Sequence, residues 1–450
     1  MIPIVTPEEM AAIDAAAPQP VEVLIERAGA AVARTALELL GGAYGRRVVV
    51  LAGKGNNGAD GRSAAARLRR RGARVEVIDA GSSPDRFGPA DLVIDAAYGT
   101  GFHGQHHPPE PGGAPVLAVD IPSGVSGLTG EVGGWALPAV RTVTFAAYKP
   151  GLLLEPGRGL AGEVEVADIG LDVAGAAAGI VERADVAAYL PRRSVASHKW
   201  RAAVLVVAGS PGMAGAAQLA AAAAQRAGAG MVRLASPGFD DPTRPTEAVG
   251  IPLPARGWAD ALLGAVGREH AMVIGPGLGA GDATRQGVRK VLAHTDLPAV
   301  IDGDGLTVLG VDAADVLPER AAPTVLTPHD GEFERLVGHP PGADRLAAAR
   351  QLAAATGAVV LLKGPVTIVA APDGEVQVVT AGDARLATAG TGDVLSGIIG
   401  ALLAQGVLAI EAAAAGAWLH GRAGSHGPAR GLVAHDLLDL LPSALAEVGA

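Results

Sequence analysis

Two glycine-rich loops carry most of the chemistry this chain can offer. The first reads Gly53-Lys54-Gly55-Asn56-Asn57-Gly58 directly after an apolar run, and the next such run closes on Asp79. A G-x-G-x-x-G loop after a strand lets backbone approach a pyrophosphate, with an acid at the following strand end to hold a ribose hydroxyl. Asp60 and the paired amides Asn56 and Asn57 argue against that reading alone, because an ionised carboxylate there repels phosphate. Amides and carboxylates together suit a hard cation or a polar ligand group. Oxygens of Asn57, Asp95 and Ser123 are placed to converge from three strand ends. Any one of these residues is more simply a turn former or a helix cap. Four such loops in one crevice (53–61, 95–101, 120–127 and 147–151) are harder to dismiss.

The second loop, Thr388-Ala389-Gly390-Thr391-Gly392-Asp393, opens a long apolar stretch. Backbone N–H groups kept bare by glycine at a helix start form an anion hole, and the helix dipole adds to it. Asp393 there is either a helix cap or the base that takes a proton from a substrate hydroxyl beside a transferring phosphoryl group. The chain holds no G-x-x-x-x-G-K-[ST] segment, so phosphoryl transfer here is not P-loop chemistry. His103, His106 and His107 invite a zinc reading, but the segment runs into Pro108, Pro109 and Pro111, and a flexible loop is a poor ligand frame.

Stepping the glycines back to the elements that must hold them gives an alternating pattern. Apolar runs at 47–52, 74–79, 91–95, 115–120 and 141–145 are separated by helical stretches, the first helix covering about 22–40. Nearly continuous Val, Leu and Ile runs imply strands buried on both faces of a parallel sheet. After an aperiodic stretch at 171–186 the alternation restarts at 203–208 and continues through 231–235, 271–274, 299–302, 324–327 and 358–363. An expected hairpin at 367–371 and 376–380 and two terminal helices at 394–404 and 411–421 complete it. Two α/β domains, 1–180 and 181–450, are therefore expected, each with one cleft beyond the carboxyl ends of its strands.

Composition narrows the function. The 450 residues carry a net charge of −10, which argues against a nucleic-acid surface. Zero Cys excludes disulfides, thiolate metal sites and a catalytic thiol. The most apolar stretch, 394–410, contains Ser396 and Gln405 and falls short of the about 20 apolar residues of a membrane helix. Residues 1–14 show neither a basic flank nor an apolar signal core, so no export is expected. A cytoplasmic protein that contacts neither membrane nor nucleic acid is expected.

The run NNGADG, with DAAYGTG, DIPSGVSG and Tyr148-Lys149-Pro150-Gly151 at these separations, resembles the N-terminal domain of NAD(P)H-hydrate epimerases, over roughly residues 1–170 and including Glu26-Arg27-Ala28-Gly29. The resemblance implies a Rossmann-like fold and a potassium ion on Asn57, Asp95 and Ser123. It implies that Asn56, Asn57, Gly58, Ala59 and Asp60, the loop Gly99, Thr100, Gly101, Phe102, His103, Gly104 and Gln105, and Asp120 line the hydrated nicotinamide nucleotide. Asp120 is the carboxylate expected to move a proton at the hydrated carbon, and Lys149 its phosphate or charge partner. Ala59 departs from the family's usual Gly, which is tolerable only at negative φ.

The T-x-G-x-G-D pattern, with Ser197-His198-Lys199, Ala208-Gly209-Ser210, GPGLG, TPHDGE and Lys363-Gly364, resembles the NAD(P)H-hydrate dehydratase branch of the ribokinase-like superfamily over about 190–445. This likeness implies ADP or ATP bound along Lys363, Gly364, Pro365 and Val366 and along Ala389, Gly390, Thr391 and Gly392. Ala216, Gly277, His329 and Asp393 would contact the hydrated nucleotide. Asp330 stands where the family commonly has Pro. Together the resemblances imply a lyase and isomerase of metabolite repair: an epimerase that interconverts the R and S hydrates of NADH and of NADPH, and an ADP- or ATP-dependent dehydratase that returns the S hydrate to NADH or NADPH. Potassium and magnesium are the expected ions, and a homo-oligomer is expected. The alternative is a vitamin or sugar kinase fused to a non-catalytic Rossmann-like binding module. A nicotinamide-dependent oxidoreductase in the first domain is a further rival.

Overall fold

The computed structural model describes residues 1–192, 195–239 and 243–449; Ala450, the last residue of the expected second domain, lies outside them. The chain divides into two compact units, Ile2–Gly179 and the residues from Ile180 on.

The first unit is built on six strands, β1 (Arg47–Ala52), β2 (Arg74–Asp79), β3 (Leu92–Ala96), β4 (Val116–Val119), β5 (Arg141–Phe145) and β6 (Glu163–Ala167). They lie in the order 2-1-3-4-5-6, every pair parallel. The apolar runs of β1, β3 and β4 are buried because helices cover the sheet, as an all-parallel sheet requires. Helix α1 (Val21–Leu40) ends on Gly41, which at φ 62 takes the left-handed cap its sequence position predicts. It packs on α2 (Asn56–Arg70), and the two share a core with Val48, Val50, Leu92, Ile94 and Leu117. Strand β6 has no counterpart in the apolar-run reading. Its sequence EVEVA alternates instead of running apolar, because an edge strand buries fewer of its side chains.

The second unit includes, among the described residues, β7 (Ala203–Val207), β8 (Met231–Pro237), β9 (Val249–Leu253), β10 (Ala271–Ile274), β11 (Ala299–Ile301), β12 (Thr324–Leu326), β13 (Val359–Leu362), β14 (Thr367–Ala370) and β15 (Val376–Val379). Their order is 15-14-13-12-11-10-7-8-9. The strands from β13 to β9 pair in parallel, while β13, β14 and β15 pair antiparallel, so the hairpin forms as expected. Strand β9 escaped the sequence reading because Pro252 interrupts it, a residue tolerated on a sheet edge. The aperiodic stretch 171–186 runs into a short helix, Arg183–Tyr189, started by a reciprocal Glu182–Asp185 capping box.

Two helices of this unit matter for the site. Helix α3 (Ala214–Arg226) packs against α4 (Thr391–Ala404), and small residues permit the closeness. A Cβ on Gly397 would come within 2.2 Å of the Ala220 carbonyl, and one on Gly400 within 2.4 Å of Val273. Nearly all of α4 is buried, as its uniformly apolar sequence demands. Among the described residues no helix is long and apolar enough to cross a membrane.

Candidate active sites

In the first unit the loops beyond β1, β3, β4 and β5 enclose a cavity of about 850 Å³. Backbone closeness shapes its floor. A Cβ on Gly58 would stand 1.9 Å from the Gly53 carbonyl, and one on Gly53 would stand 1.9 Å from that of Ala97. These glycines let the start of α2 press against the strand ends. Ala59 lies inside α2, so its backbone is helical and the missing glycine costs nothing there.

Asp120 dominates the wall. It follows β4 with a φ of 68, a conformation rare outside glycine, which the surroundings hold in place. One carboxylate oxygen accepts from the Thr100 amide at 2.7 Å; the other accepts from Thr144 at 3.2 Å and lies 2.8 Å from Lys149 Nζ. The Lys149 ammonium is wholly buried and also donates to Thr144 Oγ1 and the Phe145 carbonyl. Asp60 and Asp14 line the same cavity. Burial, then the Asp120 and Asp14 carboxylates, push Asp60 up to about 8. It is therefore largely neutral near pH 7, and the repulsion of phosphate expected from its sequence position is largely absent. Burial also raises Asp14, against the opposing pull of Lys149. Asp14 had no sequence signal, since it stands on a helix far from any glycine loop.

Of the expected cation ligands, Asp95 and Ser123 meet behind this wall, while Asn57 lines the cavity. Asp95 is fully buried at the end of β3, which raises its carboxyl; its oxygens accept from the Ser123 and Ala97 amides. Ser123 Oγ accepts from the Tyr98 amide at 2.9 Å. Both amide atoms of Asn57 are buried without a hydrogen-bond partner. A buried amide oxygen left without a partner fits a monovalent cation, since such groups are otherwise paired. Of the loop 99–105, Gly99, Thr100, Gly101 and Phe102 line the cavity together with Asn56, whereas His103, Gly104 and Gln105 do not. A Cβ on Gly133 would meet the Gly104 carbonyl, so the later half of that loop packs on the 124–135 segment instead. His106 is buried and edge-on to Tyr98 at 5.0 Å; among the described residues no group of three or more His, Asp or Glu is arranged for a metal.

In the second unit the segments after β11, β12 and β13 bring Asp302, Glu332 and Lys363 together. Lys363 Nζ lies 2.7 Å from Asp302 and 4.0 Å from Glu332. Burial penalises this ammonium, but the two carboxylates outweigh the penalty and raise its pKa. Helix α4 starts here on Gly390, at φ 90, and sets Asp393 in its first turn. A Cβ on Gly392 would approach Lys363 Nζ to 3.3 Å, so the glycine leaves room for the ammonium at the helix mouth. Ser396, one turn on, donates to the second oxygen of Asp302. Among the described residues nothing hydrogen-bonds the Asp393 carboxylate, and it does not cap its own helix. Burial first and Asp302 second push it up to about 7, with Lys363 opposing. Asp302 and Glu332 had no separate signal in the sequence: DGDG and TPHDGE were legible as loops, but which acid in each faces Lys363 was not.

Ala216 and Gly277 also meet. A Cβ on Gly277 (φ 64) would stand 3.0 Å from Ala216, and Ser210 donates to the Gly277 carbonyl at 2.9 Å. His329 is exposed and caps the helix Asp330–Val337, accepting at Nδ1 from the Gly331 amide at 3.0 Å, while Glu332 reciprocates on the His329 amide. Asp330 occupies the first helical position, which Pro also favours, and pairs with Arg345 at 2.8 Å. Replacement of the family's Pro therefore leaves a helix at this loop. Arg345 also donates to the Lys363 carbonyl.

A Rossmann-like parallel-sheet unit followed by a ribokinase-like α/β unit, with a half-buried carboxylate at a glycine-opened helix, defines the class of this chain. The profile of the NAD(P)H-hydrate dehydratase family matches residues 204–444, and that of the YjeF-related protein N-terminus matches 21–88 and 79–151. A bifunctional NAD(P)H-hydrate repair enzyme of Mycobacterium leprae is 41% identical, over 89% of this chain and 88% of the relative; its counterpart in Mycobacterium tuberculosis is 43% identical, over 83% and 82%. The crystal structure of the ADP/ATP-dependent NAD(P)H-hydrate dehydratase of Bacillus subtilis, co-crystallised with ATP and Mg2+, superposes with a TM-score of 0.53 at 33% identity, covering 59% of this chain and 97% of that one. The chain belongs to the family of bifunctional NAD(P)H-hydrate repair enzymes.

Proposed function

We propose that residues 1–180 interconvert the two C6 epimers of hydrated NADH and NADPH, and that residues 181–450 dehydrate one epimer at the expense of ADP or ATP. The observation that carries this reading is the half-buried, uncapped Asp393 beside Lys363 at the mouth of α4.

In the second unit Asp393 takes the proton of the ring hydroxyl, whose oxygen attacks the terminal phosphorus of the nucleotide as the bond to the bridging oxygen breaks. A carboxylate titrating near 7 is suited to that task. Bare amides at the start of α4 and the Lys363 ammonium stabilise the charge that develops. The phosphorylated oxygen then leaves as phosphate, with the ring nitrogen lone pair assisting, and loss of a ring proton restores the double bond. Ala216 and Gly277 make the narrow contact surface for the hydrated ring. Lys363, Gly364, Pro365, Val366, Ala389, Gly390, Thr391 and Gly392 hold the nucleotide. Magnesium would enter with the nucleotide and offset the charge of its phosphates.

In the first unit Asp120, oriented by Thr100 and Lys149, moves the proton as the C6 hydroxyl departs as water and water returns on the other face. Asn57, Asp95 and Ser123 would hold potassium, which supplies a fixed positive charge for substrate oxygens. The same reading expects a cytoplasmic enzyme that self-associates, a state light scattering measures.

The decisive assay incubates the full chain with hydrated NADPH and ADP or ATP and follows the reduced-ring absorbance. Recovery is expected for both epimers. A stable phosphorylated product without recovered absorbance would instead indicate a small-molecule kinase.

A further inference from the structure

Asp79 closes β2 and has no part in the mechanism above. We propose that Asp79 binds the adenosine ribose of the dinucleotide and makes the N-terminal site select hydrated NADH over hydrated NADPH. The inference rests on the epimerase reading of that cavity and names which of its two substrates it prefers.

Asp79 lines the cavity that Asn57 and Asp120 line, together with Ala80 and Gly81. One of its carboxylate oxygens accepts from the Gly81 amide at 2.8 Å, capping the single turn Ala80–Ser82, so the group is held in place. The other oxygen has no hydrogen-bond partner among the described residues, and the residue is exposed.

Sheet order sets the distance. From β2 the sheet runs through β1 and β3 to β4, which Asp120 follows. Three spacings of about 4.8 Å separate the two acids by roughly 14 Å. A mononucleotide with its ring against Asp120 stops short of Asp79, whereas a dinucleotide reaches it. The route between passes Gly53-Lys54-Gly55, where bare backbone and the exposed Lys54 face the diphosphate common to both substrates. Lys149, the other lining cation, is committed to Asp120. Nothing cationic among the cavity-lining residues is therefore left to receive a 2′-phosphate. A fixed carboxylate accepts hydrogen bonds from ribose hydroxyls and repels a phosphate in their place.

The test measures kcat/KM of epimerisation by the full chain, with the hydrate epimers of each nucleotide separated by chromatography so that dehydration is not the readout. Wild type should favour hydrated NADH by about tenfold or more. Asp79→Asn keeps the Gly81 cap and removes the charge, and Asp79→Ala removes both; each should bring the two substrates close to parity, mainly by improving hydrated NADPH. Lys54→Ala should slow both substrates and leave their ratio unchanged. Equal use of the two hydrates by wild type, or an unaltered ratio in Asp79→Asn, would overturn the proposal. If neither hydrate is epimerised, the epimerase reading itself is lost. The change in NADPH Kd from wild type to Asp79→Asn then decides the role of Asp79: tighter binding supports it, and no change sinks it.

Discussion

Lys149 Nζ lies 2.8 Å from Asp120 Oδ1, with the lysine side chain only 1% exposed. A buried charge of this kind is stable only with its partner, so removing one member leaves the other uncompensated. Lys149→Met should destabilise the N-terminal unit by about 3–5 kcal/mol and abolish epimerisation. The double variant with Asp120→Asn should regain much of the stability and none of the activity. Denaturant unfolding of the single and double variants measures both expectations; additive losses would argue against direct coupling.

Asp393→Asn keeps the size of the side chain and removes its capacity to take a proton. Dehydration should fall by about 10²–10⁴-fold while epimerisation is spared. Near-wild-type dehydration by this variant would show that another group is the base.

The pH profile of dehydration follows from the same residue. Asp393 works ionised, and its carboxyl is pushed up to about 7. kcat/KM should therefore rise with pH through about 7 and fall off tenfold per unit below it. A profile flat from pH 5 to 8 would contradict this environment for Asp393.

Asp60 makes a stability prediction of opposite sense. Its folded value of about 8 lies above the ordinary carboxyl value of 3.8, so folding binds a proton. Its contribution is complete below the unfolded value and is lost as pH rises toward 8. Melting of the N-terminal unit should decline over that window, and Asp60→Asn should flatten the decline. An equally steep decline in the variant would assign the proton elsewhere.

Replacing potassium with choline should slow epimerisation, and Asn57→Ala should weaken the potassium response at least about tenfold. Titrating KCl against the epimerisation rate reads both. A rate indifferent to the cation would leave the buried Asn57 amide without the role assigned to it.

The order of elements was legible because it is written locally. Apolar runs mark β1, β3, β4, β7 and β10 to β13, and glycine loops follow them wherever backbone must approach closely, as at Gly53 and Gly58. The placement of Asp393 behind two glycines at a helix start is equally local. The polar edge strand β6 and the proline-bearing β9 were not legible, since an edge strand need not be apolar.

What the tertiary structure decided is which charges meet. Asp302 and Glu332 flank Lys363 only because β11, β12 and β13 are neighbours in the sheet, and Asp14 enters the first cavity from a helix with no motif of its own. The largely neutral state of Asp60 and the raised carboxyl of Asp393 likewise depend on burial and on acids distant in sequence. Secondary structure repeats over a few residues and can be read along the chain. Desolvation and Coulomb interactions sum over everything within several ångströms, and only the folded chain determines what that is.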